Sequence, residues 1–158
     1  MFGFGNSRVD SELSLSSLLD QNSFYNAFTN DLAKARHEVI IESPFISYKR
    51  LNYLLPILHQ LIQRKVRIII NTKPPEEQDF DYRLQIEECI SVLLEMGVEM
   101  LITGGHHRKL AIIDQQMLYE GSLNILSQND SCEIMRRIHS EKLAMEMIDF
   151  IGIRRFAK

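Results

Sequence analysis

The segment "HHRKLAIIDQQMLYEGSLN", residues 106–124, carries more polar chemistry than a short pair of strands needs. The apolar runs on either side of Gln115-Gln116 predict a β-hairpin closed by a two-residue turn. Strand side chains alternate with a period of two, and directly opposed residues have Cβ atoms about 5 Å apart. The hairpin is therefore expected to gather four polar side chains on one face, with Lys109 opposite Ser122 and His107 opposite Asn124.

These four side chains suit the recognition and cleavage of a phosphodiester. Lys109 and Asn124 offer N–H donors to the oxygens of an anion, and Lys109 also supplies the opposite charge. A neutral imidazole with a pKa of about 6.5, as expected at His107, can act as a nucleophile or exchange protons near pH 7. The segment therefore predicts a small anion site built around one potential nucleophile.

Other residues of the segment have structural explanations. Asp114 has the opposite parity to His107, so we expect it to brace the turn or neutralise a neighbour rather than to touch a substrate. Gly121 permits a close approach of two backbones or an unusual φ. His106 falls on the opposite face and is expected to be structural, while Ser122 could equally well satisfy a turn.

The composition indicates one ordinary globular domain. The chain has 158 residues, 45% hydrophobic and 25% charged, and a net charge of −3, so no global charge indicates a nucleic-acid partner. No apolar run approaches the roughly 20 residues that span a bilayer, and no secretory leader is visible, so a cytoplasmic protein is expected. Cys89 and Cys132 lie in unrelated contexts, which argues against a disulfide framework or a zinc site.

Helical and strand patterns alternate along the chain, which predicts an α/β fold with a mixed, mainly parallel sheet flanked by helices. Residues 1–20 are Ser-rich and are expected to be a flexible lead-in or linker, leaving 21–158 as a single domain. Pro56 should kink its helix or mark a fresh start. The patterns predict helices over 23–36, 50–65, 81–96 and 140–151, and strands over 37–43, 66–72, 98–103 and 132–138, besides the hairpin.

The same residues carry a family resemblance. "HRKLAIID" fits His-x-Lys-x4-Asp, and "GSLN" fits the Gly-Ser-x-Asn that follows this motif in the phospholipase D superfamily. Glu133, in the next predicted strand, resembles the downstream acidic residue of the set. The resemblance covers roughly residues 23–155, including the strand that ends in "ESPFIS", and it implies an α/β/α sandwich.

The resemblance also implies a mechanism. In the family, one His attacks phosphorus to form a phosphohistidine, while a second His protonates the leaving oxygen and later activates water, without a metal or other cofactor. This chain carries one motif, as do members that complete the site as symmetric homodimers. Carried over, His107 is nucleophile in one subunit and general acid/base in the other. Lys109 and Asn124 clamp the phosphate oxygens with help from Ser122, Glu133 orients a His, and Asp114 supports the motif.

Three functions remain open at this stage. The leading hypothesis is a metal-independent endonuclease that acts on nucleic acid, with DNA favoured over RNA, as a homodimer without stable membrane association. The second is a phosphodiesterase acting on phospholipid, and the third is a non-catalytic nucleic-acid-binding or dimerisation module of a larger protein. Glu133 could also merely pair with Arg136 or Arg137, which would remove its catalytic role.

Overall fold

The computed structural model describes residues 15–153, which form a seven-stranded sheet with four α-helices. The strand order across the sheet is β1-β7-β6-β5-β2-β3-β4. Two short 3-10 turns, Pro75–Glu77 and Phe80–Tyr82, join β3 to α3. The strands are β1 (Ser16–Asp20), β2 (Glu38–Glu42), β3 (Arg67–Thr72), β4 (Glu99–Ile102), β5 (Leu110–Ile113), β6 (Met117–Gly121) and β7 (Ile134–His139); the helices are α1 (Phe24–Lys34), α2 (Tyr48–Gln63), α3 (Arg83–Met96) and α4 (Glu141–Ile151).

The predicted mixed sheet is confirmed. Strands β2, β3 and β4 pair in parallel through the crossover helices α2 and α3, whereas every other neighbouring pair is antiparallel. Following these pairings, five strands run in one direction and only β5 and β7 run against it. Antiparallel pairs nevertheless outnumber parallel pairs by four to two among residues 15–153, because the two reversed strands lie between forward ones.

Helices cover both faces of the sheet, as an α/β/α sandwich requires. Alternate residues of one strand face opposite layers, so Val39 and Ile41 pack with α1, α2 and α3 while Ile40 packs with α4. The layer containing α1 to α3 is the larger core. Its fully buried aromatic centre combines Phe24 and Phe28 of α1 with Tyr119 of β6.

Local sequence signals set the helix ends. Ser47 caps α2 by accepting the Arg50 N–H, and Ser140 caps α4 by accepting that of Leu143. Gly97 ends α3 in the left-handed conformation, with φ 95°, as its position predicts. Pro56 lies inside α2, which continues to Gln63, so this proline does not start a new helix.

The predicted register of the hairpin is wrong by one residue. Ile113 pairs with Met117, so the loop holds Asp114, Gln115 and Gln116 rather than two residues. Asp114 and Gln115 both have positive φ, 52° and 58°, and the Gln116 N–H donates to the Ile113 carbonyl. Asp tolerates the left-handed region well, so the turn forms one residue earlier than the Gln-Gln pair suggests.

Part of the predicted lead-in is also corrected. Residues 16–20 form β1. All five residues of β1 pair antiparallel with β7, and β1 is the outermost strand on one side of the sheet. Most of β1 is exposed, including Leu18 with 62% of its surface accessible, so the hydrophobic alternation that normally marks a strand is missing. Residues 1–14 of the predicted lead-in lie outside the described residues. Within residues 15–153, none of the helices has the length and apolar character to span a membrane.

Candidate active site

Most of the residues singled out from the sequence lie along one edge of the sheet, where strands β5 and β7 begin and β6 ends. His107 and Lys109 precede β5, Ser122 and Asn124 follow β6, and Glu133 precedes β7. Because β5 and β7 run antiparallel to β6, the beginnings of two strands and the end of the third meet at this edge. The strand order therefore assembles the site, although the cross-strand pairs expected from a two-residue turn do not form.

His107 and Lys109 are in direct contact. The Lys109 ammonium donates to His107 Nδ1 at 2.8 Å and to the His107 carbonyl oxygen at 2.9 Å. An ammonium group can only donate, so Nδ1 is the acceptor and the neutral ring carries its proton on Nε2. The imidazole is exposed, and the ring of Phe45 meets it edge-on with centroids 6.5 Å apart. The nucleophile candidate is thus accessible and held on its Nδ1 side.

Two further charges act on Lys109. Burial is the largest cause that lowers the pKa of Lys109; the Glu133 carboxylate opposes this shift and the Lys73 ammonium adds to it. Lys73 follows β3 and lies 4.7 Å from the centre of the Phe45 ring. The site therefore contains a second cation, which the sequence motif did not indicate.

Asn124 lies on a segment that is tightly held by the rest of the fold. The Tyr25 hydroxyl donates to the Ile125 carbonyl at 2.7 Å, and the Leu126 N–H donates to Ser43 Oγ at 3.1 Å. Among residues 15–153, Asn124 Oδ1 is buried without a hydrogen-bond partner. The fixed backbone therefore holds Asn124 at the same edge of the sheet as Lys109.

Ser122 is engaged with the backbone of β7. Its Oγ accepts the Ile134 N–H at 3.0 Å and lies 3.4 Å from the Ile134 carbonyl oxygen, to which it donates. The Ser122 N–H donates to the same carbonyl at 2.9 Å. Ser122 thus holds the junction of β6 and β7, in agreement with the structural alternative for this residue.

Glu133 makes no ion pair with either nearby arginine. Arg137 instead pairs with Asp31 at 2.7 Å, and Arg136 donates to Ser16 Oγ at 2.9 Å. The Glu133 N–H donates to Gln21 Oε1 at 3.0 Å, which fixes the backbone at the start of β7. The Glu133 carboxylate therefore remains available at the edge where Lys109 lies.

Asp114 lies at the opposite end of β5 from Lys109. Its carboxylate accepts the backbone N–H groups of Arg36, His37 and Glu38 at 2.8 to 3.0 Å. These bonds tie the hairpin turn to the start of β2 and leave Asp114 away from the edge that holds His107. The position is that of a bracing residue.

The residue between His107 and Lys109 forms a buried ion pair on the other side of the chain. Arg108 donates to both oxygens of Glu42, at 2.6 and 2.8 Å, and Glu42 is fully buried. His106 is buried beside this pair; burial chiefly lowers its pKa, with Glu42 opposing and Arg108 adding to the shift. The ion pair anchors the backbone from which both site residues project, a role that the sequence did not reveal.

Removing this anchor should cost stability. For Arg108→Ala we expect the free energy of unfolding to fall by about 2 kcal/mol, because the buried Glu42 would keep, among residues 15–153, a single side-chain bond, from Asn71. The loss is smaller than for a fully buried pair, since 44% of the Arg108 side chain is exposed. Urea unfolding measures it. Arg83→Ala, which breaks an exposed pair with Glu87, is the control, and equal losses in both variants would contradict the anchor.

The fold resembles that of several solved structures. Nuc, a phospholipase D family member from Salmonella typhimurium, has a TM-score of 0.67 and 16% identity, with 88% of this chain and 93% of that chain covered. NucT from Helicobacter pylori has a TM-score of 0.61 and 14% identity, with 85% and 91% covered. Phosphatidylserine synthase from Haemophilus influenzae Rd KW20 has a TM-score of 0.64 and 16% identity, with 90% of this chain but 39% of that chain covered. No curated protein matches the sequence.

A family model covers most of the chain. Residues 28–152 match the model described as "Cardiolipin synthase, PLD-like domain". This range includes the sheet from β2 to β7, all of the site residues and almost all of the helical residues. The chain therefore belongs to this phospholipase D-like family.

Proposed function

We propose that the protein is a metal-independent endonuclease that hydrolyses DNA or RNA through a phosphohistidine intermediate in a homodimer. The family assignment supports a phosphodiesterase-type enzyme. The observation that carries the proposal is the contact between His107 and Lys109 at an exposed sheet edge, with Lys73 and Asn124 nearby in the fold. An imidazole beside ammonium groups is a nucleophile placed where a phosphate would bind.

In the first step, His107 Nε2 attacks phosphorus and the bond from phosphorus to the leaving oxygen breaks. His107 of the partner subunit donates a proton to that oxygen. In the second step, the same partner imidazole takes a proton from water, the hydroxide attacks phosphorus, and the bond to Nε2 breaks. Both imidazoles then return to their starting states. A twofold axis through the site would supply the second ring from one motif per chain.

Attack through Nε2 requires the other neutral tautomer of His107. Nδ1 must then carry the proton and donate it, whereas in the structure the Lys109 ammonium donates to Nδ1. Binding of a phosphate would draw the ammonium toward the anionic oxygens, and a carboxylate would take its place at Nδ1. Glu133 is the carboxylate whose charge already acts on Lys109, so we assign it the orienting role.

Nucleic acid is the proposed substrate because the site offers cations to phosphate groups, and because the fold resembles Nuc and NucT over nearly their whole length. Cations at the site, Lys73 and Lys109, would contact phosphates and release counterions on binding. Cleavage should therefore slow as salt is raised.

Digestion of plasmid and of single-stranded DNA and RNA in excess EDTA tests this proposal. We expect cleavage that persists in EDTA, falls with added salt, and accompanies a dimeric mass in light scattering. Strict dependence on a divalent cation would overturn the mechanism. An inactive monomer would favour the reading of the chain as a non-catalytic module.

The pH profile should report the charge on Lys109. Because its pKa is lowered, the Lys109 ammonium loses its proton at a lower pH than an ordinary lysine does. The alkaline limb of the activity profile should therefore fall at a lower pH than expected for an ordinary lysine. Lys73→Gln removes one of the groups that lower this pKa, so the alkaline limb should move to higher pH. Lys142→Gln, a change at an exposed residue of α4, is the control and should leave the limb in place. An unmoved limb in Lys73→Gln would refute the coupling.

A phospholipid substrate is the second candidate. The fold likeness to phosphatidylserine synthase and the name of the family model favour it. Incubation with vesicles of phosphatidylcholine and phosphatidylglycerol, followed by assay of released headgroup, separates the two candidates. Headgroup release without cleavage of nucleic acid would replace the nuclease proposal.

A further inference from the structure

A cavity of about 520 Å³ lies between the residues that follow β2, the start of α3 and the segment after β6. Phe45 lines this cavity, and its ring also meets the His107 ring edge-on, with centroids 6.5 Å apart, so this residue belongs both to the cavity wall and to the surroundings of the candidate nucleophile. The chain reaches this position because β2 ends at Glu42 and Pro44 follows, next to the start of β5. A substrate whose phosphorus lies at His107 would have its neighbouring group on the side of Phe45, from which the cavity can be reached.

The walls combine aromatic rings with polar groups. Tyr48, at the start of α2, and Tyr82, just before α3, line the cavity and are 52% and 54% exposed. Rings that are half exposed at a cavity wall can offer faces on which a planar group stacks. The cavity is also lined by amide side chains, among them Gln85 and Asn129, which both donate and accept hydrogen bonds.

Hydrogen bonds hold two of the glutamines that line the cavity. Gln78 accepts the Ile46 N–H at 3.0 Å and donates to the Lys73 carbonyl at 2.9 Å. The Gln128 side chain donates to the Ser131 carbonyl at 2.9 Å. The Gln128 backbone carbonyl accepts hydrogen bonds from Arg50 Nε and Nη2. These bonds hold two of the lining side chains in place, as expected of a preformed small-molecule site.

We propose that this cavity binds one unpaired nucleobase next to the scissile phosphate, so that the substrate is single-stranded nucleic acid. The inference rests on the proposed nuclease function and names its substrate class. A base has two aromatic faces and an edge of donors and acceptors, which match the tyrosines and amides. Bases within a duplex are stacked on each other, so only an unpaired base can enter.

Matched oligonucleotides with and without bases test the proposal. The first substrate is a single-stranded decathymidylate; the second is the same backbone with abasic sites; the third is the decathymidylate paired with its complement. Because stacking on an aromatic ring favours each base by roughly ten-fold or more in binding, we expect kcat/KM for the first to exceed that for the other two by about ten-fold. In the variant carrying both Tyr48→Ala and Tyr82→Ala, the ratio of the first to the second should fall toward one.

Two controls keep the test sharp. The variant carrying Tyr48→Phe and Tyr82→Phe retains the rings and should keep the preference for bases. Phe150→Ala removes a ring that is 83% exposed on α4, away from the cavity, and should also keep it. Equal rates of the wild type on base-containing and abasic strands, or an unchanged ratio in the alanine variant, would overturn the proposal.

Failure of the nuclease function gives a different result. In that case the wild type cleaves none of the three substrates, and anisotropy of the labelled strands measures binding instead. Tighter binding of the thymidylate strand that depends on both tyrosine rings would support the cavity as a base site. Equal binding of thymidylate and abasic strands would overturn it.

Discussion

His107→Ala should lower kcat by about 10⁴-fold or more on any substrate that the wild type cleaves. The substitution removes the nucleophile and, in a symmetric dimer, also removes the acid that protonates the leaving oxygen. One change in the sequence therefore deletes two catalytic groups. The His107 side chain is exposed, and it contacts Lys109 and Phe45 at the sheet edge rather than the core, so the fold should survive the substitution.

The measurement combines activity with a search for the covalent intermediate. A rapidly quenched wild-type reaction should contain protein whose mass is increased by an oligonucleotide fragment attached at His107. The variant should lack this adduct and unfold in urea at the wild-type concentration. His59→Ala is the matched control because His59 is an exposed histidine on α2 and lies outside the site. Full activity in His107→Ala, or equal losses in the two variants, would refute the mechanism.

Gly121→Ala should have the largest effect on stability, about 3 kcal/mol in the free energy of unfolding. A Cβ atom at this position would overlap the Ile134 carbonyl oxygen and lie 2.9 Å from the Met135 Cα. Both are backbone atoms, so no rotation of a side chain relieves the overlap. Strand β7 would have to move away from β6, and Glu133 at its start would move with it.

Urea unfolding and kcat/KM measured on the same preparations check this prediction. We expect both to fall in Gly121→Ala. The matched control is Gly104→Ala, where an added Cβ would meet only the side chain of Glu77, at 3.2 Å, which can move aside. A Gly121→Ala variant as stable as Gly104→Ala would show that β6 and β7 do not need this close approach.

Local patterns predicted most of the fold because most elements carry their own signal. The β-branched runs of β2 and β3 and the stripes of α2 and α4 follow from burial on one or two faces. The hairpin register failed because turn geometry, rather than the Gln-Gln pair, decides it. Strand β1 escaped detection because its order comes from pairing with β7, more than 110 residues away along the chain.

In the candidate site, too, the residues close together in sequence could be predicted, whereas the contacts between distant segments could not. His107, Lys109 and Asn124 could be proposed from the sequence because they lie within one short segment whose spacing is informative. The ion pair between Glu42 and Arg108 joins residues 66 positions apart, and nothing local indicates that β2 and β5 are neighbours. Lys73 and Phe45 follow different strands, so only the strand order brings them to the site.

The position of β1 has a practical consequence for work with shortened chains. A chain that begins at residue 21 would leave the outer N–H and C=O groups of β7 bare, and bare strand edges recruit other strands. Molecules trimmed in this way could join edge to edge and scatter light like a dimer. Truncation should therefore stop short of residue 16 before any stoichiometry is assigned.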